Sequence, residues 1–493
     1  MYSWTLPHPL TPLPLSDLSS LNPMQVNVET AAAGLPWDMD VDVLVVGAGA
    51  CGLAAAIAAH EAGVGVAIVE KRDRPGGNSS LSTGSVPGAN SRFQREAGIE
   101  DSPQVMVADL ERLSGESDLP QLARQMAAIS AEICEWLVDT VGARMALITD
   151  YCHVGHTIPR LHAPVSRRGQ DLVDDLLAAV DKRGIPLATN NPVHTLYVDD
   201  QGGVVGVAVD GPGVERSRIR ARNVILASNG FAANRELVTR YCAEIADAEY
   251  FGALGSQGEA VLWGQQLGAR LANMQAYQGY AAVAYPHGSL LSWTTLEKGG
   301  FLVNAAGRRF GNEDLGYSAY AREVLAQRQN VFAVFDERIM TLASKEDEFR
   351  ELAEIGGLKN ADSIEALAAR FELPADVLAR TLANYNEAAA GKRGDEFGRK
   401  HFNMAPLSGR LWMCRVTPGL FHTQGGLAVD QEGRVLREDD SVIPGLFAGG
   451  GAAAGISGRA GAGGYASGNG LLTAIALGYL SARAAAAQVK ART

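Results

Sequence analysis

Cysteine is scarce in the sequence and follows no pattern. The five cysteines are odd in number and no two share C-x-x-C spacing, which argues against a disulfide framework and a cysteine zinc site. His153, His156 and His162 lie close together without a metal-binding pattern, so no metal ion is expected. Unpaired thiols are typical of a cytoplasmic protein. The cysteines are Cys51, Cys134, Cys152, Cys242 and Cys414.

Positive charge and long apolar runs are also lacking. The chain has 43 Lys and Arg against 55 Asp and Glu, and this diffuse net charge of −12 argues against a nucleic-acid partner. Residues 1–40 contain no Lys or Arg, so the charged start of a signal peptide is missing. The apolar stretch from Leu471 to Ala487 is alanine-rich and interrupted by Arg483, too weak for a membrane span. A cytoplasmic protein without a membrane span is expected.

Core-forming residues, in contrast, are plentiful. Of the 493 residues, 47% are hydrophobic and 20% charged, an ordinary globular mixture with material for two large domains or three smaller ones. This composition excludes a disordered or fibrous protein. Glycine is frequent, with 56 residues, which suggests close backbone contacts with a bound molecule.

A βαβ unit begins at residue 41. The run Val43–Val46 leads into the pattern G-x-G-x-x-G at Gly47, Gly49 and Gly52, and an alanine-rich helix and a second strand ending in Glu70 follow. In this pattern the glycines permit a tight turn, the approach of a pyrophosphate and close helix–strand packing. The terminal acid can accept hydrogen bonds from a ribose diol. The pattern predicts a dinucleotide site.

The next segment favours FAD over NAD. A nicotinamide enzyme would continue into its next βαβ repeat, whereas here the acid is followed by Gly76-Gly-Asn-Ser79 and then by Thr83 and Gly84. Backbone amides and small hydroxyls in such a loop suit a second stretch of pyrophosphate and the ribityl chain.

The remaining patterns divide the chain. Residues 100–185 are predicted to be mostly helical, and alternating strands follow from 194 to 227. The composition shifts between 272 and 406, where residues 301–310 predict a hairpin and residues 362–391 predict two helices separated at Pro374. We predict an extended, proline-rich arm (1–38), an FAD-binding domain in two parts (39–271 and 407–493) and a cap or substrate domain (272–406).

Six stretches of the chain carry a family pattern: VVGAGACGL (45–53), GGNS (76–79), LASNGF (226–231), VNAAGRRFGNE (303–313), HTQGG (422–426) and PGLFAG (444–449). In this order they resemble the FAD-dependent fumarate reductase/3-oxosteroid dehydrogenase superfamily, over roughly residues 40–490. The resemblance implies an α/β fold, with a Rossmann-type, glutathione-reductase-like FAD-binding domain and an inserted α+β cap domain. Members with covalent flavin have a histidine after the glycine pair, whereas this chain has Asn78 and Ser79, so non-covalent FAD is implied.

The resemblance also implies where FAD is contacted. The contacts fall in the glycine turns, the following loops and the start of a final helix, whose positive end would face the flavin pyrimidine. The implied residues are Gly47, Gly49, Ala50, Cys51, Gly52, Glu70, Lys71, Gly77, Asn78, Ser79, Thr83, Gly84, Val193, Ala227, Gly230, Gly449, Gly450, Asn469, Leu471 and Leu472.

Two chemistries occur in the superfamily. Fumarate-type reductases have an arginine acid shortly after the Asn-Glu pair of the cap, where alignment on Glu313 places Tyr317, and a loop arginine that binds a carboxylate. The corresponding loop here, residues 454–469, is similar to the G-Y-x-S-G element of 3-oxosteroid 4-dehydrogenases, with Tyr465 and Ser467 in matching places. These differences favour desaturation of a ketone over reduction of an enoate.

Desaturation beside a ketone needs a hydrogen-bond donor for the carbonyl oxygen, a base for the α-proton and flavin N5 for the β-hydride. His422 is either a catalytic residue or a structural hydrogen-bonding group under the flavin, and Arg459 is either a carboxylate clamp or a solvated loop charge. The substrate is a 3-oxosteroid or a small oxo-acid such as 4-oxocyclohexanecarboxylate, and the electron acceptor is O2 or a quinone. The implied catalytic residues are Tyr317, Tyr465, Ser467 and His422, and the implied substrate-binding residues are Arg459 and Tyr277.

Other functions stay open. An enoate reductase of the fumarate or urocanate type would use His422 and Arg459 as carboxylate ligands. A flavoprotein subunit could instead relay electrons to a partner chain, although the sequence has no iron–sulfur cysteines or haem motif. The full-length cap with its hydroxyls argues against a flavin-binding protein without catalysis.

Overall fold

The computed structural model describes residues 25–149 and 152–492, except for the side chains of residues 214 and 215. The chain divides into a large unit, with described residues 25–149, 152–243, 252–277 and 422–492, and an insert unit of residues 244–251 and 278–421. Most of the N-terminal arm, residues 1–24, lies outside the described residues. The rest of the arm includes a strand, Asn27–Thr30.

The strands are numbered in chain order: β1 (Asn27–Thr30), β2 (Met39–Val46), β3 (Val66–Val69), β4 (Val86–Pro87), β5 (Met145–Leu147), β6 (Leu161–Pro164), β7 (Leu187–Ala188), β8 (Val193–Val198), β9 (Val204–Gly211), β10 (Val214–Leu226), β11 (Glu249–Tyr250), β12 (Leu271–Ala272), β13 (Gln275–Ala284), β14 (Phe301–Asn304), β15 (Val331–Asp336), β16 (Lys359–Ala361), β17 (Leu411–Thr423), β18 (Gly426–Leu427), β19 (Arg434–Leu436), β20 (Val442–Ala448) and β21 (Ala460–Gly461).

The α-helices are α1 (Ala50–Glu61), α2 (Gly77–Ser80), α3 (Arg92–Glu96), α4 (Pro103–Ser114), α5 (Pro120–Trp136), α6 (Gly169–Lys182), α7 (Arg235–Tyr241), α8 (Glu259–Leu267), α9 (Thr294–Glu297), α10 (Gly316–Ala326), α11 (Glu337–Ala343), α12 (Asp347–Glu354), α13 (Ile364–Arg370), α14 (Ala375–Ala389) and α15 (Asn469–Ala491).

A parallel sheet organises the large unit. Its strands run in the order β20-β10-β2-β3-β7, every neighbouring pair parallel. Residues 43–46 of β2 are all buried, because helices cover both faces of such a sheet. β9 and β8 extend the sheet beyond β10 in antiparallel order, and β1 pairs with β8. The predicted α/β, Rossmann-type fold is confirmed.

Two helices pack closely at the glycine turn of this sheet. A Cβ at Gly478 of α15 would lie 2.3 Å from the carbonyl oxygen of Cys51 in α1, so only glycine permits this approach. Within residues 25–149 and 152–492, α15 is the helix with the length and composition to cross a membrane. However, 67% of its most apolar window is buried inside the protein, as in a core helix.

The insert unit has its own mixed sheet, in which β14, β15, β17 and β13 are neighbours in that order. The two helices predicted on either side of Pro374 are α13 and α14, and that proline is the N-cap of α14. The predicted hairpin at residues 301–310 is wrong: the turn forms, with Asn304 N–H donating to Arg308 O at 3.0 Å, but β14 pairs with β15.

The reason for the missing hairpin strand lies in a buried ion pair. Arg309 donates to both Glu313 oxygens (3.1 and 2.6 Å) and to Asp395 (2.5 Å), and all three side chains are at most 5% exposed. Glu313 also accepts from the N–H of Leu302 at 3.2 Å. The Arg-Phe-Gly-Asn-Glu stretch therefore anchors the insert unit through its side chains.

Candidate FAD and catalytic site

The glycine turn between β2 and α1 has the geometry that the sequence predicts. Gly47 has φ +111°, and a Cβ there would lie 2.4 Å from Ala227 O. A Cβ at Gly52 would lie 1.8 Å from Gly47 O, so the fold itself requires glycine at both positions. These two glycines set the tight turn and the close packing of α1 on the strand.

Gly49 behaves differently from the other two glycines. It is the N-cap of α1, with φ −79°, and a Cβ there would meet only Gly76 O at 3.6 Å and Ser79 Oγ at 3.8 Å. These are ordinary contact distances, so the protein alone does not demand glycine here. A ligand that approaches the backbone does demand it, as the pyrophosphate of a dinucleotide would at a helix N-terminus.

Glu70 lies at the end of β3 with its carboxylate fixed. It accepts from the N–H groups of Ala48 and Arg72, both at 2.8 Å, which leaves lone pairs for a ribose diol. Lys71, the next residue, pairs with Glu259 at the start of α8. Its ammonium is therefore held by a carboxylate of the protein, and its predicted contact with FAD stays a prediction.

Several buried polar atoms in the large unit have no protein partner within the part of the chain that the structure describes. Four of them lie in or beside the segments predicted to bind FAD: Nδ2 of Asn78, Oγ of Ser228 and both side-chain polar atoms of Asn469. Asn469, the first residue of α15, is 0% exposed. Because buried polar groups almost always have partners, these atoms fit a bound polar molecule such as FAD. The sequence prediction named the two asparagines and missed Ser228.

The other predicted FAD residues are mostly backbone positions near these groups. Ser79 Oγ accepts from the N–H of Ala50 at 3.2 Å, and the thiol of Cys51 packs against Gly449, where burial raises its pKa to about 12. Gly77, Gly84 and Gly450 have positive φ angles. Thr83 is hydrogen-bonded to Ser85, and Gly230 packs against Thr423. The remaining positions are at most 9% exposed: Val193, Ala227, Leu471 and Leu472. Their FAD contacts stay predictions.

Two predicted catalytic residues meet at the start of α15. The rings of His422 and Tyr465 are 5.9 Å apart and nearly perpendicular. A Cβ at Gly470 would lie 3.3 Å from Cε1 of His422, so the imidazole lies against the first turn of α15. Desolvation lowers the pKa of His422 to about 4, so this imidazole is neutral at neutral pH.

Ser467 lies two residues further along the same buried loop. Its N–H donates to Val154 O at 3.0 Å, and its C=O lies 2.8 Å from Nε2 of His156. His156 and its neighbour Arg160 were missed as functional candidates. Apart from their bond to each other, the partners of their side chains lie 51 to 311 positions away in the chain, so no local spacing points to a role.

Tyr317 lies in the insert unit, on the first turn of α10. Its ring is 5.2 Å from that of Tyr280 and 6.3 Å from that of Trp293, and Tyr280 stacks on Phe421 at 5.4 Å. Burial raises the pKa of Tyr280 well above its usual value. The phenol of Tyr317 therefore belongs to an aromatic cluster, and its catalytic role stays a prediction.

The predicted substrate-binding residues have contrasting surroundings. Arg459 is half exposed and already paired: Nε donates to Asp118 at 2.7 Å and Nη1 to Glu116 at 2.9 Å. Tyr277, on β13, is 0% exposed. Across residues 25–149 and 152–492, no three His, Cys, Asp or Glu side chains are grouped so that they could hold a metal ion.

A Rossmann-type sheet, a glycine turn at a helix N-terminus and unpaired polar atoms nearby define a dinucleotide-binding flavoprotein fold. The family model described as "FAD binding domain" matches residues 42–470, and the chain belongs to this family. Its cofactor is FAD, and it is a flavin-dependent oxidoreductase whose homologues are named reductases and dehydrogenases.

Three known proteins illustrate the range of these relatives. The fumarate reductase (cytochrome) of Shewanella frigidimarina is 30% identical over 442 residues, 89% of this chain and 76% of that protein. The urocanate reductase of Eggerthella lenta is 28% identical over 83% of this chain and 69% of that protein. The crystal structure of 3-ketosteroid-delta4-(5alpha)-dehydrogenase from Rhodococcus jostii, with 4-androstene-3,17-dione, has a TM-score of 0.76 at 25% identity, covering 94% of this chain and 100% of that one.

Proposed function

We propose that the protein is an FAD-dependent dehydrogenase that introduces a C=C bond next to the carbonyl of a cyclic ketone. The observation that carries the proposal is the state of the two residues that an enoate reductase would use as carboxylate ligands. His422 is neutral at neutral pH because desolvation lowers its pKa to about 4, and Arg459 is engaged by Glu116 and Asp118. Neither supplies a free positive charge for an enoate carboxylate.

The loop of residues 454–469, which contains Arg459, also carries hydrogen-bond donors for a ketone oxygen. The phenol of Tyr465 and the hydroxyl of Ser467 are donors that a carbonyl oxygen can accept from as it gains enolate character. Both residues are 8% exposed, and the buried setting strengthens such a hydrogen bond. FAD, when bound, supplies the acceptor for the hydride that leaves the β-carbon.

The α-proton needs a base within the protein. A tyrosine has an ordinary pKa near 10, so a tyrosine base requires closure of the site or a neighbouring group that takes up the proton. The imidazole of His422, whose ring lies 5.9 Å from that of Tyr465, is a poor acceptor for this proton because desolvation lowers its pKa to about 4, so a tyrosine base here depends on closure of the site. Tyr317 is the second phenol that we propose for proton transfer, and its neighbours Tyr280 and Trp293 are aromatic rather than cationic.

The relatives support a second candidate, an enoate reductase. The 30% identity with a fumarate reductase extends over 89% of the chain, and a urocanate reductase matches nearly as much of it. This candidate requires that a substrate carboxylate compete with Glu116 and Asp118 for the charge of Arg459. The similarity to a 3-ketosteroid dehydrogenase, which extends over the whole of that protein, supports the first candidate.

Anaerobic mixing of the purified holoprotein with ketones tests the proposal. A saturated 3-oxosteroid and 4-oxocyclohexanecarboxylate are the two probes, and cyclohexanecarboxylate, which lacks the ketone, is the control. We expect one of the ketones to bleach the visible flavin band while the control leaves it unchanged. If neither ketone bleaches it, and fumarate or urocanate reoxidises dithionite-reduced protein, the second candidate replaces the first. Oxygen and a soluble quinone are the proposed acceptors to compare afterwards.

A further inference from the structure

A short segment of the large unit holds the loop that carries Tyr465 and Ser467. The N–H of Ser467 donates to Val154 O at 3.0 Å, and the carbonyl of Ser467 lies 2.8 Å from Nε2 of His156. Gly155, between these two partners, packs so closely that a Cβ would lie 2.5 Å from Cβ of Ala466. Both backbone groups of Ser467 are thus fixed by residues 154–156.

The protonation of His156 is determined by its other neighbour. Nδ1 of His156 lies 3.2 Å from Nη1 of Arg160, and a guanidinium can only donate. Nδ1 must therefore be the acceptor, so in the neutral imidazole the proton is on Nε2, which donates to the carbonyl of Ser467. Burial lowers the pKa of His156 to about 4, which keeps this neutral form at neutral pH.

Arg160 is itself held on two further sides. Its side chain is 0% exposed and pairs with Asp101 at 2.9 Å and with Asp109 at 2.8 Å. Asp109 also accepts from the N–H and the hydroxyl of Thr157, both at 2.9 Å. The two carboxylates fix the guanidinium, and the guanidinium fixes the imidazole that holds the loop.

We propose that His156 is a positioning residue, held by Arg160, Asp101 and Asp109, which fixes Ser467 and with it the orientation of the Tyr465 loop. This network reaches the loop through backbone atoms, so it acts on whichever substrate the loop serves. The expected effect of His156 on the reaction rate rests on the proposed ketone dehydrogenation, whereas its expected effect on the stability of the loop does not.

Two substitutions of similar size test the proposal. His156→Leu removes both hydrogen-bonding nitrogens. His156→Gln keeps a side-chain amide, whose NH2 group can donate and whose carbonyl oxygen can accept. We expect amide hydrogen exchange in the peptide covering residues 460–470 to speed up about tenfold or more in His156→Leu, with wild-type behaviour restored in His156→Gln. His162→Gln is the control, because His162 is also buried but bonds Ser91 instead of the loop.

The kinetic readout separates positioning from folding. In His156→Leu we expect the rate constant of flavin reduction by the ketone to fall about 10- to 100-fold with little change in KM and with full FAD content, because a small misplacement of reacting groups slows chemistry more than binding. Unchanged exchange at 460–470, or faster exchange without a slower reaction, overturns the proposal. If the wild-type protein reduces with neither ketone, the proposed function fails, and hydrogen exchange still tests the hold on the loop.

Discussion

Substitution of Gly49 by alanine separates what the fold requires from what FAD requires. The N-cap position has φ −79°, and an added Cβ would lie 3.6 Å from Gly76 O and 3.8 Å from Ser79 Oγ. Alanine is a poorer N-cap than glycine but also lowers the entropy of the unfolded chain, so the apoprotein should keep its stability within about 1 kcal/mol. A pyrophosphate that lies against this glycine would be displaced by the methyl group.

The expected loss is one charge-assisted hydrogen bond from the helix N-terminus, about 1.5–3 kcal/mol. The Kd for FAD should then rise about 10- to 100-fold. At an FAD concentration about 100 times the wild-type Kd, the cofactor stabilises the wild-type fold by about 2.7 kcal/mol. A variant with about 100-fold weaker affinity would keep only about 0.4 kcal/mol of this stabilisation.

The assay is titration of apoprotein with FAD by quenching of flavin fluorescence, together with chemical unfolding in the presence and absence of FAD. Gly52→Ala is the contrasting variant, because its Cβ would lie 1.8 Å from Gly47 O and should destabilise even the apoprotein. Gly394→Ala, with nothing within 4 Å of the added Cβ, is the neutral control. Wild-type FAD affinity in Gly49→Ala would refute the assignment of the pyrophosphate to this turn.

Three further outcomes are expected. Tyr465→Phe and Tyr317→Phe should each slow flavin reduction by the ketone about 100- to 10,000-fold at unchanged FAD affinity, because each removes a proton-transfer group. Stopped-flow absorbance measures the rate constant of flavin reduction, and a decrease of less than tenfold contradicts the proposed role. Arg459→Ala should change KM for 4-oxocyclohexanecarboxylate less than fivefold in steady-state assays. Burial lowers the pKa of His156 and of His162 to about 4 from an ordinary 6.5. Each should therefore lower the free energy of unfolding by about 1.4 kcal/mol per pH unit as the pH falls from 6.5 towards 4. In urea titrations at pH 6.5 and 5, His162→Gln should remove one such contribution, and an unchanged pH dependence contradicts this expectation.

The parts of the site that the sequence predicted are those encoded within about thirty residues. The turn at Gly47 and the acid at Glu70 belong to one βαβ unit, in which each residue type has a local reason: a positive φ, a close packing contact, a carboxylate at a strand end. The same is true of the helix break at Pro374. Such features follow from backbone chemistry alone, so a single sequence suffices to find them.

The parts that the sequence did not predict depend on distant partners. Residues 309 and 310 follow a turn and look like a returning strand, but Arg309 is used in a buried ion pair with Asp395, and β14 takes β15 as its partner. His156 reaches Ser467 across 311 positions of the chain, and the sequence showed it only as one of three nearby histidines. Tertiary contacts decide both cases, and no local period or spacing encodes them.

The partners of Arg459 narrow the substrate class. Asp118 and Glu116 accept from Nε and Nη1 of its guanidinium and neutralise its charge, so a substrate carboxylate would have to bind beside two carboxylates or exchange with one of them. Such an exchange at a half-exposed group is worth at most about 1 kcal/mol, because solvent screens both the pair that is lost and the pair that is gained. This corresponds to about a fivefold preference for an acid over its methyl ester. In the proposed reaction, selectivity for a ketone would therefore come from the buried hydroxyls at Tyr465 and Ser467, and a strong preference for the acid would require a cation other than Arg459.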